Sequence, residues 1–545
     1  MTRLTRRGFL GTATGVGGAV VLGAESAQGA QAAPRTTTGT AGTTESSGPA
    51  AVDTVTVTAS DPRYPDLTQR GYNARFVARP DRIRLVHNTS QVVAAVQEAV
   101  TAGSRIGVRG GGHCLDGLVD DPGVRTLIDM SEMNAVGYDA SRRAFSVQGG
   151  ATLAQVYRTL YLEWGVTIPG GDCPTVGVGG HVTGGGYGPL NRKYGSVVDH
   201  LYAVEVVYVD AAGTARSVVA TRDAADPDRE LWWAHSGGGG GQFGIVTTFW
   251  FRSPNATGTD PAGLLPKPPH SLLKTSTSWA WTDLTEADFT RIVRNHNTWH
   301  AAHNAPGTDY DTLNSALLLY NHVQGAVALT AQLDGSLPNS QQLMDDYIAA
   351  VAEGVGTAHT TSAHSTPWLK ESLKDHYDTG IYNRGKFKGA YLRKGWSDAQ
   401  LAVLYRNLSD PTYTGHGGAI LFSYGAQVTT VAPDATALAQ RDSMLKANFL
   451  TYWTDPAEDD RHVAWLRALY RDFYASTGGV PLPDGDADGS YINYPDPDLT
   501  DPRWNTSGVP WQTLYWKGNY PRLQAVKKKW DPRNVFHHAL SVTAA

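Results

Sequence analysis

The chain has 545 residues, of which 41% are hydrophobic and 18% charged, and a formal net charge of −5. This length exceeds what one compact core normally holds, so two domains are expected. The slightly acidic balance gives no reason to expect nucleic acid or an anionic membrane surface as a partner. Two cysteines are too few for a disulfide framework.

The first 32 residues predict a signal peptide of the twin-arginine type. Arg6 and Arg7 precede a mildly apolar stretch that ends in small residues near Ala32, which suits cleavage there. The alternative is a general secretory signal with two arginines by chance, and both interpretations predict an exported protein. Residues 33–55 are rich in Thr, Ser, Gly and Ala and predict a disordered linker. No later run reaches the roughly 18 apolar residues of a spanning helix.

A strand–helix–strand unit is predicted next. The β-branched and aromatic residues of 76–88 favour a strand, Ser90 can cap a helix, and 105–110 favour a second strand. This second strand runs directly into a glycine turn followed by His113. Ligands commonly bind at such a carboxyl end of a strand. A histidine in this position is, by itself, more often only solvated or packed.

The stretch 170–195 is the most unusual part of the chain, because ten of its 26 residues are glycine and it contains Cys173. Glycine lets the backbone approach a ligand closely or adopt positive φ. A predicted helix over 152–164 leads into this stretch, and a predicted hairpin turning at 210–213 follows it. A disulfide between Cys114 and Cys173 is an alternative role for the cysteine in an exported protein.

A second glycine run, 237–241, can cradle a pyrophosphate through backbone N–H groups, although it matches neither a Walker nor a Rossmann pattern. From 262 to 515, β-rich runs (315–323, 326–333, 419–428) alternate with helical segments (340–354, 459–477). This order predicts an antiparallel sheet with helices on one face. His359 and His364 have no metal-ligand spacing, so we expect them in a loop and expect no metal site.

Five motifs together resemble the berberine bridge enzyme-like flavoproteins. They are RGGGH at 109–113, GDCPTVGVGGHVTGGGYGPLNRKYG at 171–195, LWWAHSGGGGGQFGIVT at 231–247, YINYPD at 491–496 and WDPRNVF at 530–536. The resemblance covers essentially the whole mature chain. It implies the α+β, vanillyl-alcohol oxidase (PCMH-type) fold, with an FAD-binding domain at 60–261 that is completed by 516–545. A substrate-binding domain with an antiparallel sheet would occupy 262–515.

The same resemblance implies FAD attached through both His113 and Cys173. Val176 matches a position where a small residue lets O₂ reach the flavin, which implies an oxidase that releases hydrogen peroxide. The other cofactor-binding positions implied by the motifs are Arg109, Gly110, Gly111, Gly112, Gly177, Gly179, Gly180, His181, Gly184, Gly185, Gly239, Gly240, Gly244, Val246 and Asn493.

A general base must remove the hydroxyl proton when an alcohol is oxidised. The resemblance gives this role to Tyr494, gives Tyr187 a share of the proton or a substrate contact, and leaves Tyr424, on a predicted strand, as a third catalytic candidate. The leader and sequence style resemble bacterial members that oxidise sugars attached to antibiotics. The expected substrate is therefore an alcohol of a carbohydrate or glycosylated metabolite, with O₂ as acceptor.

Two alternatives stay open at this point. One is an enzyme that oxidises a C–H bond beside nitrogen or closes a ring oxidatively. The other is a flavin- or ligand-binding protein without turnover. Two departures from the family pattern are also present: His200 follows Asp199 where asparagine is common, and Ala-Gln replaces Pro-His before Arg441. The oligomeric state is not predicted.

Overall fold

The computed structural model describes residues 54–375, 383–483 and 485–545, so the predicted signal peptide and nearly all of the predicted linker lie outside the described residues. The strands of the described part are β1 Val55–Val57, β2 Arg82–Leu85, β3 Ile106–Arg109, β4 Thr126–Asp129, β5 Val136–Asp139, β6 Ala144–Gln148, β7 Leu201–Val209, β8 Ala215–Thr221, β9 Ile245–Phe251, β10 Ser271–Ala280, β11 Asn314–Tyr320, β12 Ala326–Asp334, β13 His359–Pro367, β14 Arg384–Leu392, β15 His416–Ser423 and β16 Leu445–Trp453.

The α-helices of the same part are α1 Tyr64–Thr68, α2 Thr89–Thr101, α3 Leu153–Trp164, α4 Val178–Thr183, α5 Asn191–Tyr194, α6 Arg229–Ala234, α7 Glu286–Ala302, α8 Ser340–Ala352, α9 Trp368–Ser372, α10 Asp398–Leu408, α11 Asp459–Phe473, α12 Trp511–Trp516 and α13 Tyr520–Trp530. Within the described ranges, none of these helices is long and apolar enough to cross a membrane.

A four-stranded sheet, ordered β1-β2-β4-β3, contains the predicted strand–helix–strand unit. Strands β2 and β3 both pair in parallel with β4, and α2 connects them along the chain. The strand predicted over 76–88 is β2, and it begins only at Arg82, since Pro80 lacks the N–H that a strand ladder needs. Asn88, not Ser90, caps α2: its side chain accepts the Gln91 N–H at 3.0 Å.

A five-stranded antiparallel sheet, ordered β5-β6-β9-β7-β8, follows. The predicted hairpin is confirmed as β7 and β8, which pair from Ala203 with Thr221 to Val209 with Ala215. The helix expected over 152–164 is confirmed as α3, where Thr152 and Gln155 form a reciprocal capping box. These two sheets carry the glycine turns of the site.

The third sheet is antiparallel throughout, with seven strands in the order β13-β10-β12-β11-β15-β16-β14. Helices α8 and α11 pack on one face, and α7 and α10 complete that layer, so helices on one face are confirmed. His359 and His364 lie on the exposed edge strand β13 and not in a loop. The prediction was wrong because this strand is polar and lacks the apolar alternation by which a strand is recognised. Strand β15 ends at Ser423, so Tyr424 follows the strand.

All described residues belong to one compact unit, and the domain limits of 60–261 and 262–515 stay predictions. The seven-stranded sheet lies entirely within 262–515. The face of this sheet opposite the helices carries Asn314, Phe422 and Asn448, which line the cavity of the candidate site.

A buried ion cluster fastens the edge strand β14 to the segment that follows Tyr494. The Lys388 ammonium lies 2.6 Å from Asp496 and 2.8 Å from Asp498, and Lys386 lies 2.8 Å from Asp496. None of these four side chains is more than 5% exposed. Burial disfavours a charged Asp498, but the two lysines outweigh it and hold the pKa of that carboxyl well below its usual range.

Replacing Lys388 by Met is expected to lower the free energy of unfolding by about 3–5 kcal/mol, because two buried carboxylates would keep too little positive charge. The matched control is Lys394→Met, just beyond the same strand. Its pair with Asp486 has side chains 71% and 67% exposed, and such pairs contribute less than about 1 kcal/mol. Urea unfolding measures both, and equal losses in the two variants would contradict a supporting role for the cluster.

Candidate active site

Two glycine turns from different parts of the chain meet at the centre of the site. A Cβ on Gly111 would lie 2.3 Å from the Gly177 nitrogen, and a Cβ on Gly177 would lie 2.3 Å from the Gly111 nitrogen. Real Cβ atoms do not approach other atoms so closely, so both backbones meet only because neither residue has a side chain. This contact places His113 and Cys173 on the wall of the same cavity.

The cavity has a volume of about 380 Å³ and opens between the glycine turns and the seven-stranded sheet. Most of the residues predicted from the motifs line it. They are Arg109, Gly110, Gly111, Gly112, His113, Cys173, Val176, Gly177, Gly179, Gly180, His181, Tyr187, Gly239, Gly240, Gly244, Val246, Asn493 and Tyr494.

Three predicted residues lie behind the cavity wall. A Cβ on Gly184 would lie 2.1 Å from the Asn493 side-chain oxygen, and a Cβ on Gly185 would lie 3.2 Å from Leu438. Tyr424 is fully buried behind Tyr187, and its hydroxyl donates to the Gln440 carbonyl at 3.3 Å. A direct catalytic role for Tyr424 stays a prediction without a contact to the cavity.

Arg109 lines the cavity through its strand end, while its guanidinium points elsewhere. The side chain is 1% exposed and pairs with Asp129 at 3.1 Å and with Asp120 at 3.4 Å. The guanidinium also donates to the Leu67 carbonyl. The charge of Arg109 therefore holds the turn in place, and the backbone of this segment forms the cavity wall.

His113 is held in one orientation by two neighbours. Its Nε2 lies 2.8 Å from the Thr175 hydroxyl, and its ring stacks on Tyr72 with centroids 4.9 Å apart. Burial lowers the pKa of His113 to about 4. The imidazole is therefore neutral near pH 7 and keeps a nitrogen lone pair.

Both cysteines are free thiols, so the disulfide alternative is wrong for this structure. The Cys114 thiol donates to the Asp116 carbonyl at 3.0 Å, and burial raises its pKa to about 11. Burial also raises the pKa of Cys173 well above its usual value. Only Cys173 lies on the glycine-rich stretch, and it faces the same cavity as His113.

Tyr187 and Tyr494, 307 positions apart in the chain, are joined by a hydrogen bond between their hydroxyls. Tyr494 packs directly on the backbone of β14, where a Cβ on Gly389 would lie 3.0 Å from its ring. Burial raises the pKa of both phenols, while the hydrogen bond from Tyr187 lowers that of Tyr494. A proton can therefore pass between the two hydroxyls.

Sequence reasoning missed Lys446, which is 1% exposed and lies among tyrosine rings. Its ammonium nitrogen is 3.3 Å from the ring centroids of both Tyr187 and Tyr491 and has no hydrogen-bond partner in the described part of the chain. Burial lowers the pKa of Lys446 well below its usual value, whereas the ring faces attract a cation and oppose that shift. A charge on Lys446 would stabilise a tyrosinate here, and burial works against that charge.

Asn448 was also missed. It lies two residues along β16, lines the cavity, and its side-chain oxygen is buried without a hydrogen-bond partner among the described residues. A signal for both residues exists in the sequence: LKANFLTYW places a lysine and an asparagine inside a mostly apolar strand pattern. Buried polar residues of this kind are rare unless a partner or ligand satisfies them.

The cavity fits FAD. A Cβ on Gly180 would meet nothing within 4 Å and would project into the space that the cavity provides. Backbone from 110–112, 179–180 and 239–241 forms much of the wall, which suits a pyrophosphate. Across residues 54–375, 383–483 and 485–545, no group of His, Cys, Asp or Glu could hold a metal ion.

Two family models match this chain. The model described as an FAD binding domain matches residues 80–218, and the model described as "Berberine and berberine like" matches residues 490–543. The first range contains His113 and Cys173, and the second contains Tyr494.

Full-length similarity extends these matches. The aclacinomycin-N/aclacinomycin-A oxidase of Streptomyces galilaeus is 55% identical over 547 residues, which covers 99% of each chain. The crystal structure of aclacinomycin oxidoreductase superposes with a TM-score of 0.89 at 56% identity, covering 90% of this chain and 100% of that one. A glycopeptide hexose oxidase complexed with teicoplanin gives 0.87 at 48% identity, with coverage of 90% and 99%.

These findings confirm the predicted vanillyl-alcohol oxidase type of fold, with mixed helices and antiparallel sheets. The FAD-binding model and the full-length relatives establish the cofactor class. The chain therefore belongs to the berberine bridge enzyme-like family of FAD-dependent oxidases.

Proposed function

We propose that this protein is an exported oxidase that oxidises an alcohol group on the sugar of a glycosylated natural product, or on a free carbohydrate. One observation carries the proposal: the hydrogen-bonded pair of Tyr187 and Tyr494 lies on the wall of the cavity that His113 and Cys173 also line. The names of the similar proteins, an aclacinomycin oxidase and a glycopeptide hexose oxidase, support the substrate class.

FAD in this proposal is bound covalently through both His113 and Cys173. Support comes from the neutral imidazole of His113, whose nitrogen lone pair can form a bond, and from the free thiol of Cys173 on the same wall. The Thr175 hydroxyl, 2.8 Å from Nε2, fixes the ring orientation. Attachment at two points would hold the cofactor beside a cavity that must also admit substrate.

Bound FAD supplies the hydride acceptor. Tyr494 receives the hydroxyl proton at its phenolic oxygen, and the Tyr187 hydroxyl donates a hydrogen bond that stabilises the Tyr494 phenolate beforehand. Lys446, over the face of Tyr187, offsets the cost of this buried negative charge. The Asn448 amide, with its unpartnered oxygen, is placed to accept a hydrogen bond from a second substrate hydroxyl.

O₂ is the proposed final electron acceptor, with release of hydrogen peroxide. The support is Val176, a residue of modest size on the cavity wall three positions after Cys173.

Tyr494→Phe tests the assignment of the base. Flavin reduction, followed anaerobically by the loss of yellow absorbance, should slow at least ~100-fold with aclacinomycin A or glucose as the electron donor. The control is Tyr405→Phe, because the Tyr405 hydroxyl donates to the Leu284 carbonyl at 3.3 Å and neither residue lines the cavity. A Tyr494→Phe protein that is reduced at the wild-type rate would remove Tyr494 from this role. An enzyme reduced only by amines would favour C–N oxidation instead.

Lys446→Met tests the electrostatic part of the mechanism. A cation above Tyr187 lowers the pKa of the tyrosine pair, so its removal should raise that pKa. The rising limb of the flavin-reduction rate against pH should move up by about one unit or more, and the rate near pH 7 should fall about tenfold. Lys394→Met, on the surface, should leave the profile unchanged. An unshifted limb in Lys446→Met would mean that Lys446 is neutral in the reacting enzyme.

Export by the twin-arginine route is proposed from Arg6 and Arg7 alone, which lie outside the described residues. Replacing both by Lys should leave the folded protein inside the producing cell. Continued secretion of that variant would point to the general secretory route.

A further inference from the structure

A second cavity, of about 310 Å³, adjoins the first on the same face of the seven-stranded sheet. The two cavities share a border formed by Gly171, Asp172, Pro189, Asn314 and Phe422. A ligand bound beside Tyr494 can therefore extend past Phe422 into the second space without leaving the sheet surface.

A straight row of side chains crosses the sheet from one cavity to the other, as the strand register shows. Starting in the second cavity, the row is Ser362 on β13, Ser276 on β10, Thr330 on β12, Ala316 on β11 and Phe422 on β15. The next position in this row, on β16, is Lys446. The row thus joins the tyrosine cluster to the second cavity.

The spacing of the strands fixes the distances along this row. Neighbouring strands lie about 4.8 Å apart, so Thr330 lies roughly 10 Å and Ser276 roughly 14 Å from Phe422. The small Ala316 between Phe422 and Thr330 leaves room for a ligand to cross. One sugar ring at Tyr494 does not reach Thr330, whereas a molecule with further rings does.

The second cavity is lined with uncharged hydrogen-bonding groups and with two lysines and two carboxylates whose charges balance: Lys274, Lys374, Asp172 and Glu371. Ser276, Ser362 and Gln332 make no side-chain hydrogen bond with other described residues, so their donors and acceptors are available to a ligand. Lys274, which pairs with Gln332 in the ladder, is neutralised by an ion pair with Glu371. Donors and acceptors without net charge, on a flat sheet, suit the hydroxyls of a neutral ring.

Apolar side chains complete the wall of the second cavity. Trp368, at the start of α9, lines it and is 4% exposed. Leu272 and Leu318 add apolar area on the sheet face. A hydroxylated ring has polar edges and an apolar face, and this combination of side chains offers contacts to both.

We propose that the second cavity is a binding subsite for a further hydroxylated ring of the substrate, beyond the sugar that reacts at Tyr494. The ring is a second or third sugar, or a hydroxylated ring of the aglycone, since both present the same chemistry. The subsite contributes to affinity and to selection of large glycosides, and it takes no part in the chemical step. This inference rests on the proposed function.

The test compares ligands of one and several rings. The double variant Ser276→Ala/Gln332→Met removes two of the available polar groups at nearly constant volume, and Ser278→Ala is the control. Ser278 lies on the same strand but is satisfied by the Thr360 hydroxyl at 3.0 Å. Calorimetry on the FAD-loaded protein, with the flavin reduced beforehand so that no turnover occurs, gives the Kd of glucose, cellotriose and aclacinomycin A.

The expected result is that cellotriose, aclacinomycin A or both bind the wild type at least tenfold more tightly than glucose. The double variant should lose about tenfold in affinity for those ligands, as the loss of two hydrogen bonds predicts, and nothing for glucose. Weakening of cellotriose alone assigns the subsite to sugars, and weakening of aclacinomycin A alone assigns it to the aglycone side.

Two results would overturn the inference: equal affinity of the wild type for small and large ligands, or a double variant that binds the large ligands as the wild type does. Failure of the proposed function looks different. In that case the large ligands bind through Ser276 and Gln332, but none of them reduces the flavin.

Discussion

The direct backbone contact between Gly111 and Gly177 is the constraint on which the site depends. A Cβ on either glycine would lie 2.3 Å from the nitrogen of the other, so no other residue type fits at these positions without moving a chain. The contact joins the turn that follows the parallel strand β3 to the glycine-rich stretch, and its two glycines lie 66 positions apart in the chain. His113 and Cys173 face one cavity as a result.

The seven-stranded sheet supplies the other half of the site. Its edge strand β14 supports the ring of Tyr494 through Gly389 and holds the following Asp496 through two buried lysines. The neighbouring strand β16 contributes Lys446. The groups that would attach the cofactor and the groups that would move the proton thus come from different parts of the chain, and each part is fixed by its own buried interactions.

Much of this arrangement could be predicted from the sequence, because glycine turns and the YINYPD segment are local patterns with a clear physical purpose. Lys446 could not be placed, since the rings of Tyr187 and Tyr491 that surround it come from distant segments of the chain. The role of Asn88 as a cap was missed because Ser90 satisfies the same composition rule two residues later.

The two segments that depart from the family pattern are joined to each other in the structure by an ion pair. Arg441 donates to both carboxylate oxygens of Asp199, at 2.7 and 3.1 Å, with both side chains nearly buried. Both ring nitrogens of His200 have partners, Ser253 at 2.8 Å and the Tyr194 carbonyl at 2.9 Å. The Arg441–Asp199 pair joins residues 242 positions apart, so no reading of either segment by itself could predict it.

The central claim, that one flavin is bonded to both His113 and Cys173, is tested most directly by the mass of the denatured protein. Intact-mass spectrometry of the wild type in acid should show the polypeptide plus one FAD. His113→Ala and Cys173→Ala should each retain that added mass through the remaining bond, and the double variant should lose it. A wild-type protein whose denatured mass equals that of the polypeptide alone would contradict the claim.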